Sequence, residues 1–228
     1  STKLQIARVG ANGAVLDSML TWRAELLQNM GEDNFSGTSV NFNGRALDLG
    51  VGVNLPKNDV VGIGFVANFT GTSGDDDALD NDDDTFRDFN ALGINTSDRY
   101  YGEIFGRSNA LQGGFATPAG QGANLSGVGT TEGARYAQLG VVLKPSFLDG
   151  KTWWRFDFYN LAAAEGDDYG REYDLTGGFK HSENVGFEAG YAMLTPDDGL
   201  IGVGADDDIT KLFGRVKIAW GGGMQKID

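Results

Sequence analysis

The sequence lacks cysteine, and its 228 residues include one histidine and four prolines. The absence of cysteine excludes disulfides, thiolate metal sites and redox chemistry by thiols. No apolar run reaches the roughly 18 residues of a membrane-spanning helix, and no basic segment precedes an apolar stretch near residue 1. We therefore expect neither a helical membrane span nor an uncleaved signal peptide, and a signal removed from a precursor stays open.

Basic residues are few and scattered. Lys and Arg total 18 against 32 Asp and Glu, which gives a net charge of −14, so the clustered cations that bind nucleic-acid phosphates are missing. The histidine, His181, falls in a predicted turn without an adjacent nucleophile and base. Asp157 and Glu172 are candidates for an acid–base pair across two strands, but opposed charges of this kind also line ordinary pores. We expect no catalytic residues and no enzyme.

Glycine is abundant, with 36 residues, and the mean hydropathy is −0.27. A soluble core built from this composition would be thin. An all-β architecture with many turns accommodates it better.

Apolar and polar residues alternate along most of the chain. From Leu16 to Leu26 the charged residues share one face and the apolar residues the other, and 46–55 repeats this pattern. A weaker first strand is predicted over about Lys3–Val9. Further alternating runs span Val61–Phe69, Tyr136–Leu143, Trp154–Phe158, Tyr173–Phe179, Val185–Met193 and Leu212–Trp220. Several runs approach the roughly ten residues of a tilted bilayer crossing. The pattern favours an antiparallel transmembrane β-barrel over a soluble β-sandwich.

The connections alternate in length. Tight turns are predicted at Gly10–Gly13, Pro56–Asp59, Leu148–Gly150 and Ser182–Asn184, and longer loops at 29–38, 72–130, 162–170 and 195–208. Short turns at one end and long loops at the other are typical of bacterial outer-membrane barrels. The sequence thus predicts nine antiparallel crossings. Because single-chain barrels generally have even strand numbers, either a further N-terminal strand or a pairing hidden in 72–130, best placed at Arg99–Arg107, is expected.

Two segments resemble the alginate-export-like outer-membrane porins. The stretch 93–102, with its Tyr100-Tyr101-Gly102 end, is similar to the family's approach to an aromatic pair and Gly, and 170–194 resembles its paired strands ending in the sequence EAGYA. The similarity runs over most of residues 14–220. It implies a bacterial outer-membrane location and a barrel of about 16–18 strands, of which this chain would be the C-terminal half or a reduced relative. We interpret 1–228 as a single barrel domain with a tail at 221–228.

The alternation also predicts which side chains face the lumen. Leu20, Leu49, Val141, Phe156 and Val216 are expected to face lipid. The expected lumen-lining residues are Arg23, Glu25, Asp48, Arg155, Asp157, Glu172, Asp174, Lys180, Glu188, Arg215 and Lys217, with Asp17, Gln138 and Lys211 in phase with them. The resemblance implies an arginine-lined lumen for an anionic polysaccharide, whereas this set mixes both signs. Alginate is therefore not expected as the substrate.

The longest loop, 72–130, divides into an acidic part over 74–88 and an aromatic part over 89–115. Like charges in the first part predict a solvated loop. Asp80, Asp82 and Asp84 have the spacing of calcium ligands, but Thr85 and Ala91 replace the Gly and Glu of an EF-hand, which leaves only a weak surface calcium site as an alternative. The aromatic part is expected to form a constriction or a short hairpin, with Arg99, Tyr101, Glu103 and Arg107 as its site residues.

The leading functional prediction is a porin-type channel for passive diffusion of small hydrophilic solutes, in contact with outer-membrane lipid and needing no cofactor. A structural or adhesion barrel with calcium- or partner-binding acidic loops is one alternative. A soluble carbohydrate-binding β-sandwich is another. Strand number separates the first two, because eight to ten strands leave an interior filled by side chains and about sixteen leave a channel.

Overall fold

A computed structural model describes residues 2–35, 38–76, 81–84, 102–104, 133–165, 167–198 and 207–219. Its regular structure consists of eleven β-strands and one turn of 3-10 helix, Leu148–Gly150. The strands are β1 Thr2–Val15, β2 Leu20–Phe35, β3 Thr38–Phe42, β4 Arg45–Asn54, β5 Val61–Thr72, β6 Asp82–Asp83, β7 Ala134–Pro145, β8 Thr152–Ala162, β9 Gly170–Lys180, β10 Val185–Pro196 and β11 Ile209–Ile218. The predicted all-β class is confirmed.

One sheet contains all of these strands, and their order is β11-β10-β9-β8-β7-β5-β4-β2-β3-β6. β1 pairs with the other edge of β2, opposite β4 and β3. The nine long strands follow one another as an antiparallel meander, as the sequence predicts. The two short strands lie at the far end of β2, where β3 pairs with its last residues and β6 runs parallel to β3.

β1 and β11 are the outermost long strands, and they do not pair with each other among the described residues. β1 pairs only with β2, and β11 pairs only with β10. Ile6 of β1 and Ile209 of β11 nevertheless pack against the same cluster of buried side chains, which indicates that the sheet curves. We call the face that carries this cluster the inner face and the opposite one the outer face.

Connections of two lengths mark the two ends of the sheet. The turns at 16–19, 55–60, 146–151 and 181–184 define the turn end, and the connections at 73–133, 163–169 and 197–208 leave from the loop end. Three of the four predicted tight turns are confirmed. The predicted loop at 29–38 is wrong, because β2 continues through Phe35 and β3 begins at Thr38.

The predicted turn at Gly10–Gly13 is also wrong. Those residues lie inside β1, and the chain reverses at Leu16–Met19, where Leu16, Asp17 and Ser18 adopt positive φ and the Met19 N–H donates to the Leu16 carbonyl at 3.0 Å. Asp17 is therefore a turn residue and not part of the inner face.

Register explains why a glycine-rich stretch stays extended at this position. Gly13 pairs with Trp22, and a Cβ at Gly13 would lie 3.0 Å from the indole Nε1. The glycine lets the ring lie flat on the neighbouring strand, an arrangement that stabilises glycine in sheets. Gly177 and Trp154 repeat the pairing between β9 and β8.

One face of the sheet carries charged side chains and the other carries large apolar side chains. Unusually, the charged side chains are the buried ones. In β8, Asp157 is 1% exposed while Trp154 and Phe156 are each 48% exposed. Leu212 in β11 is 85% exposed, whereas Glu188 in the neighbouring strand β10 is 8% exposed. Charged side chains are thus buried on the inner face and large apolar side chains cover the outer face. Among the described residues, no helix has the length and apolar character to cross a membrane.

Candidate functional site: the inner face

The register places nearly all predicted lumen-lining residues on the inner face. Glu25 lies opposite Asp48, Asp157 opposite Asp174, and Glu188 opposite Arg215 in neighbouring strands. Like charges directly opposite each other destabilise a sheet, so each carboxylate pair needs cations or hydrogen-bond donors close by. The ion pairs of the inner face supply them.

The first group is centred on Asp48. Its Oδ2 accepts a hydrogen bond from Arg23 Nε at 3.0 Å, and its Oδ1 accepts one from the Thr70 hydroxyl at 2.6 Å. A Cβ at Gly50 would lie 2.7 Å from Asn68 Oδ1 and 2.8 Å from Arg23 Cζ. The absent side chain at position 50 therefore gives the guanidinium the room to cross the strand towards Asp48.

The second group is centred on Asp157. Arg155 donates from Nε and Nη2 to its two oxygens at 2.5 and 3.0 Å, and Gln138 Nε2 donates at 2.6 Å. Asn68 Nδ2 donates in turn to Gln138 Oε1 at 2.5 Å, which links this group to β5. A bidentate Arg–carboxylate pair is among the strongest hydrogen-bonded arrangements in proteins, so these contacts connect β5, β7 and β8 in the middle of the inner face.

A third group involves the segment Gly102–Ile104, which the long connection between β5 and β7 places on the inner face. The Glu103 N–H donates to Asp174 Oδ2 at 2.9 Å, and the Ile104 N–H donates to Glu172 Oε1 at 2.6 Å. Gly102 has φ +100°, and a Cβ there would lie 2.6 Å from the Glu172 carboxylate. Only glycine meets both conditions without strain. We call Gly102–Ile104 the latch.

The side chain of Glu103 secures the latch to β11. Its carboxylate pairs with Arg215 and lies 3.6 Å from Lys211 Nζ, which also donates to the Glu103 carbonyl at 2.5 Å. Arg215 lies 3.7 Å from Glu188, which pairs with Lys217. Glu103 is fully buried, so two cations compensate the cost of removing this charge from water.

Apolar side chains close the loop end of the inner face. Ile104 of the latch packs there with Tyr136, Tyr159, Leu161 and Leu194. Burial of Leu161 and Leu194 is complete, and burying a leucine side chain stabilises by about 1.5–3 kcal/mol. The latch is thus held by apolar contact at its Ile104 end and by ion pairs at Glu103.

Some predicted site residues lie elsewhere or outside the described residues. Lys180 is in phase with the inner face but exposed at the last position of β9. Asp82 accepts a hydrogen bond from Asn41 Nδ2 at 3.0 Å. Across the described part of the chain, no group of three acidic or histidine side chains is arranged to hold a metal. Outside the described residues lie Asp80, Arg99, Tyr101, Arg107 and the tail 221–228.

Sequence reasoning missed two features of this face. Arg8 pairs with Glu25. The sequence predicted that the first strand ends near Val9 and that a turn follows at Gly10–Gly13, and that register does not bring Arg8 beside Glu25. The apolar cluster was missed because apolar residues were assigned to the outer face alone. Leu161 is in phase with Asp157, and Leu194 with Glu188, so strict counting along each strand would have found both.

Comparisons with known proteins add no assignment. No protein-family profile matches the sequence, and no curated protein matches it significantly. The resemblance to alginate-export-like porins therefore stays a prediction.

The inner face can bind water and small polar or charged solutes, since it presents carboxylates, guanidiniums, amides and hydroxyls in alternation. Its oxygens and cations are mostly engaged with one another. Such a face can make many weak, exchangeable contacts with a solute.

Proposed function

We propose that this chain is an integral outer-membrane β-barrel protein of the porin type, through which small hydrophilic solutes diffuse passively. The observation that carries the proposal is the inverted burial of the sheet: Asp48, Asp157 and Glu172 are at most 1% exposed, while Trp154, Phe156 and Leu212 on the other face are not covered. Water favours the reverse arrangement. A hydrocarbon environment around the outer face accounts for it.

Strand length and connectivity support the same proposal. The nine long strands have 10–16 residues, which suffices for a tilted bilayer crossing of about 9–11 residues. In such a barrel, closure of β1 against β11, or against strands of a longer chain or a second copy, would satisfy both edges. Mixed charges on the inner face would give the passage its transverse field.

A structural or adhesion barrel without conduction is the second candidate. The latch and the apolar cluster favour it, because they occupy the inner face at its loop end. Nine strands would also leave an interior largely filled by side chains. The two candidates share the membrane location and differ only in whether ions cross.

Two measurements test these proposals in order. The protein should remain in the membrane pellet after alkaline carbonate extraction of cells, and it should require detergent for purification. Reconstituted into planar bilayers, it should then give discrete conductance steps in potassium chloride. Solubility without detergent would refute the membrane proposal. Membrane integration with no conductance, in the wild type and in latch variants alike, would select the structural barrel.

A further inference from the structure

We propose that the outer face carries a binding site for a lipid with a phosphate headgroup, formed by a groove between Arg45 and Arg135. The proposal rests on the proposed function in one respect: the groove opens on the face assigned to the bilayer. The groove has a volume of about 770 Å³ and crosses β1, β2, β4, β5 and β7 near the loop end. In its lining, residues of the outer face alternate with Arg8, Leu27, Ala46 and Thr72, whose phase in the strands is that of the inner face.

The register explains the shape of the groove. Val9, Leu26 and Leu47 lie directly opposite one another in β1, β2 and β4, and this row continues to Gly71 in β5 and Arg135 in β7. Gly71 contributes no side chain, so the apolar row is interrupted beside the Phe69 ring, which also lines the groove. An acyl chain fits this floor because the contacts are apolar and the surface is open along the strands.

Arg45 stands at the loop-end side of this floor. Gln28 Oε1 accepts a hydrogen bond from Arg45 Nε at 3.0 Å, while Gln28 Nε2 donates to the backbone carbonyls of Asn29 and Asn43 at 2.9 and 2.7 Å. Gln28 therefore fixes the orientation of the guanidinium. The terminal Nη groups of Arg45 make no hydrogen bond to the described residues, which leaves them for a ligand.

Arg135 stands at the end of the apolar row, two strands from Arg45, or about 10 Å across the sheet. Its Nη2 donates to the Ala164 carbonyl at 2.8 Å. Guanidiniums bind phosphate oxygens through paired N–H donors. Two of them above an apolar floor complement a phosphate attached to acyl chains.

The pairing of the arginines differs between the two faces of the sheet. The four arginines that point to the inner face, Arg8, Arg23, Arg155 and Arg215, each pair with a carboxylate. Within the described residues, neither Arg45 nor Arg135 does so. Arg45 and Arg135 are exposed beside apolar surface, so their guanidiniums are accessible to an anion from outside the chain. Glu165 lines the same groove, so its carboxylate opposes phosphate binding and provides a test.

The test uses the full chain in an uncharged detergent and native mass spectrometry with three probes: a diacyl phosphatidate, the matching diacylglycerol and inorganic phosphate. We expect the phosphatidate to bind about tenfold more tightly than the diacylglycerol, and Arg45→Gln and Arg135→Gln each to weaken it about three- to tenfold. The double variant should lose the preference, and Glu165→Gln should strengthen binding.

Arg171→Gln is the matched control, because Arg171 lies on the outer face at the loop end but does not line the groove. It should change binding less than twofold. The proposal is overturned if diacylglycerol binds as tightly as phosphatidate, if Arg171→Gln weakens binding as much as the groove variants, or if only inorganic phosphate binds. A chain that is soluble without detergent would overturn the proposed function as well, whereas loss of the lipid preference in a membrane-integrated protein overturns this inference alone.

Discussion

Glu103 and Arg215 form an ion pair although 112 positions separate them in the chain. The pair joins the long connection between β5 and β7 to the last strand of the sheet. Lys211 contacts both the carboxylate and the carbonyl of Glu103. Both cations of this attachment therefore converge on one buried carboxylate.

Replacing that carboxylate should release the latch. In Glu103→Gln the amide cannot compensate Arg215 and Lys211, so two cations would remain close together on the inner face without their shared partner. We expect a larger or more frequently open single-channel conductance in planar bilayers. Glu183→Gln removes the same charge from the turn between β9 and β10 and should leave the conductance unchanged.

Gly102→Val tests the latch through its backbone. Valine at φ +100° is strained, and its Cβ would meet the Glu172 carboxylate. Gly150→Val carries a similar strain, with φ +67°, but nothing lies within 4 Å of its Cβ. Both variants should lose stability, and only Gly102→Val should increase the conductance of the proposed channel. Equal conductance in these two variants would contradict a gating role for the latch.

The assignment of faces can be tested with neighbouring residues of β11. Val216 is 60% exposed on the outer face, and Lys217 pairs with Glu188 on the inner face. Val216 lies two residues from the turn end of β11, where the cost of arginine falls between the midplane and interface values. Val216→Arg should therefore cost about 1–2 kcal/mol, whereas Lys217→Arg keeps its charge and should cost little. Urea unfolding in lipid vesicles, followed by tryptophan fluorescence, measures both. A large loss for Lys217→Arg alone would mean that the faces are reversed.

Most of the sheet could be predicted because alternation is a local property of each strand. The Trp154–Phe158 run, for example, gives both the location of β8 and its two faces without any knowledge of its neighbours. Turn position was less predictable at the N-terminus. The glycines at 10 and 13 have turn chemistry, but pairing of Val9 with Leu26 and of Gly13 with Trp22 keeps them in β1.

The candidate site was only partly predictable for a similar reason. Phase along the strands identifies Asp48, Asp157 and Glu172 as sharing one face, because each strand repeats every second residue. It does not specify which cation reaches which carboxylate. The position of the latch depends on contacts between Glu103 and β9 and β11, which are distant in sequence and have no local signal.

Glycines that lie beneath tryptophan rings should resist substitution. A Cβ at Gly177 would lie 2.8 Å from Trp154 Cζ3, whereas the nearest atom to a Cβ at Gly214 would be 3.9 Å away. Both glycines lie in strands on the outer face. Gly177→Val should therefore destabilise by about 1–3 kcal/mol through overpacking, and Gly214→Val should be neutral or stabilising because valine favours strands. Urea unfolding of the two variants provides the comparison.

Ion selectivity provides the sharpest test of the mixed charge on the inner face. Carboxylates and cations alternate there within hydrogen-bonding distance, and physiological salt screens each over about 8 Å. The wild-type reversal potential in a potassium chloride gradient should therefore be small. Lys217 and Glu188 pair with each other, so Lys217→Gln should shift the potential towards cation preference and Glu188→Gln should shift it by a similar amount towards anions. Val216→Gln, on the outer face, should produce no shift. A strong anion preference of the wild type would contradict the balanced field and would favour passage of an anionic polysaccharide instead.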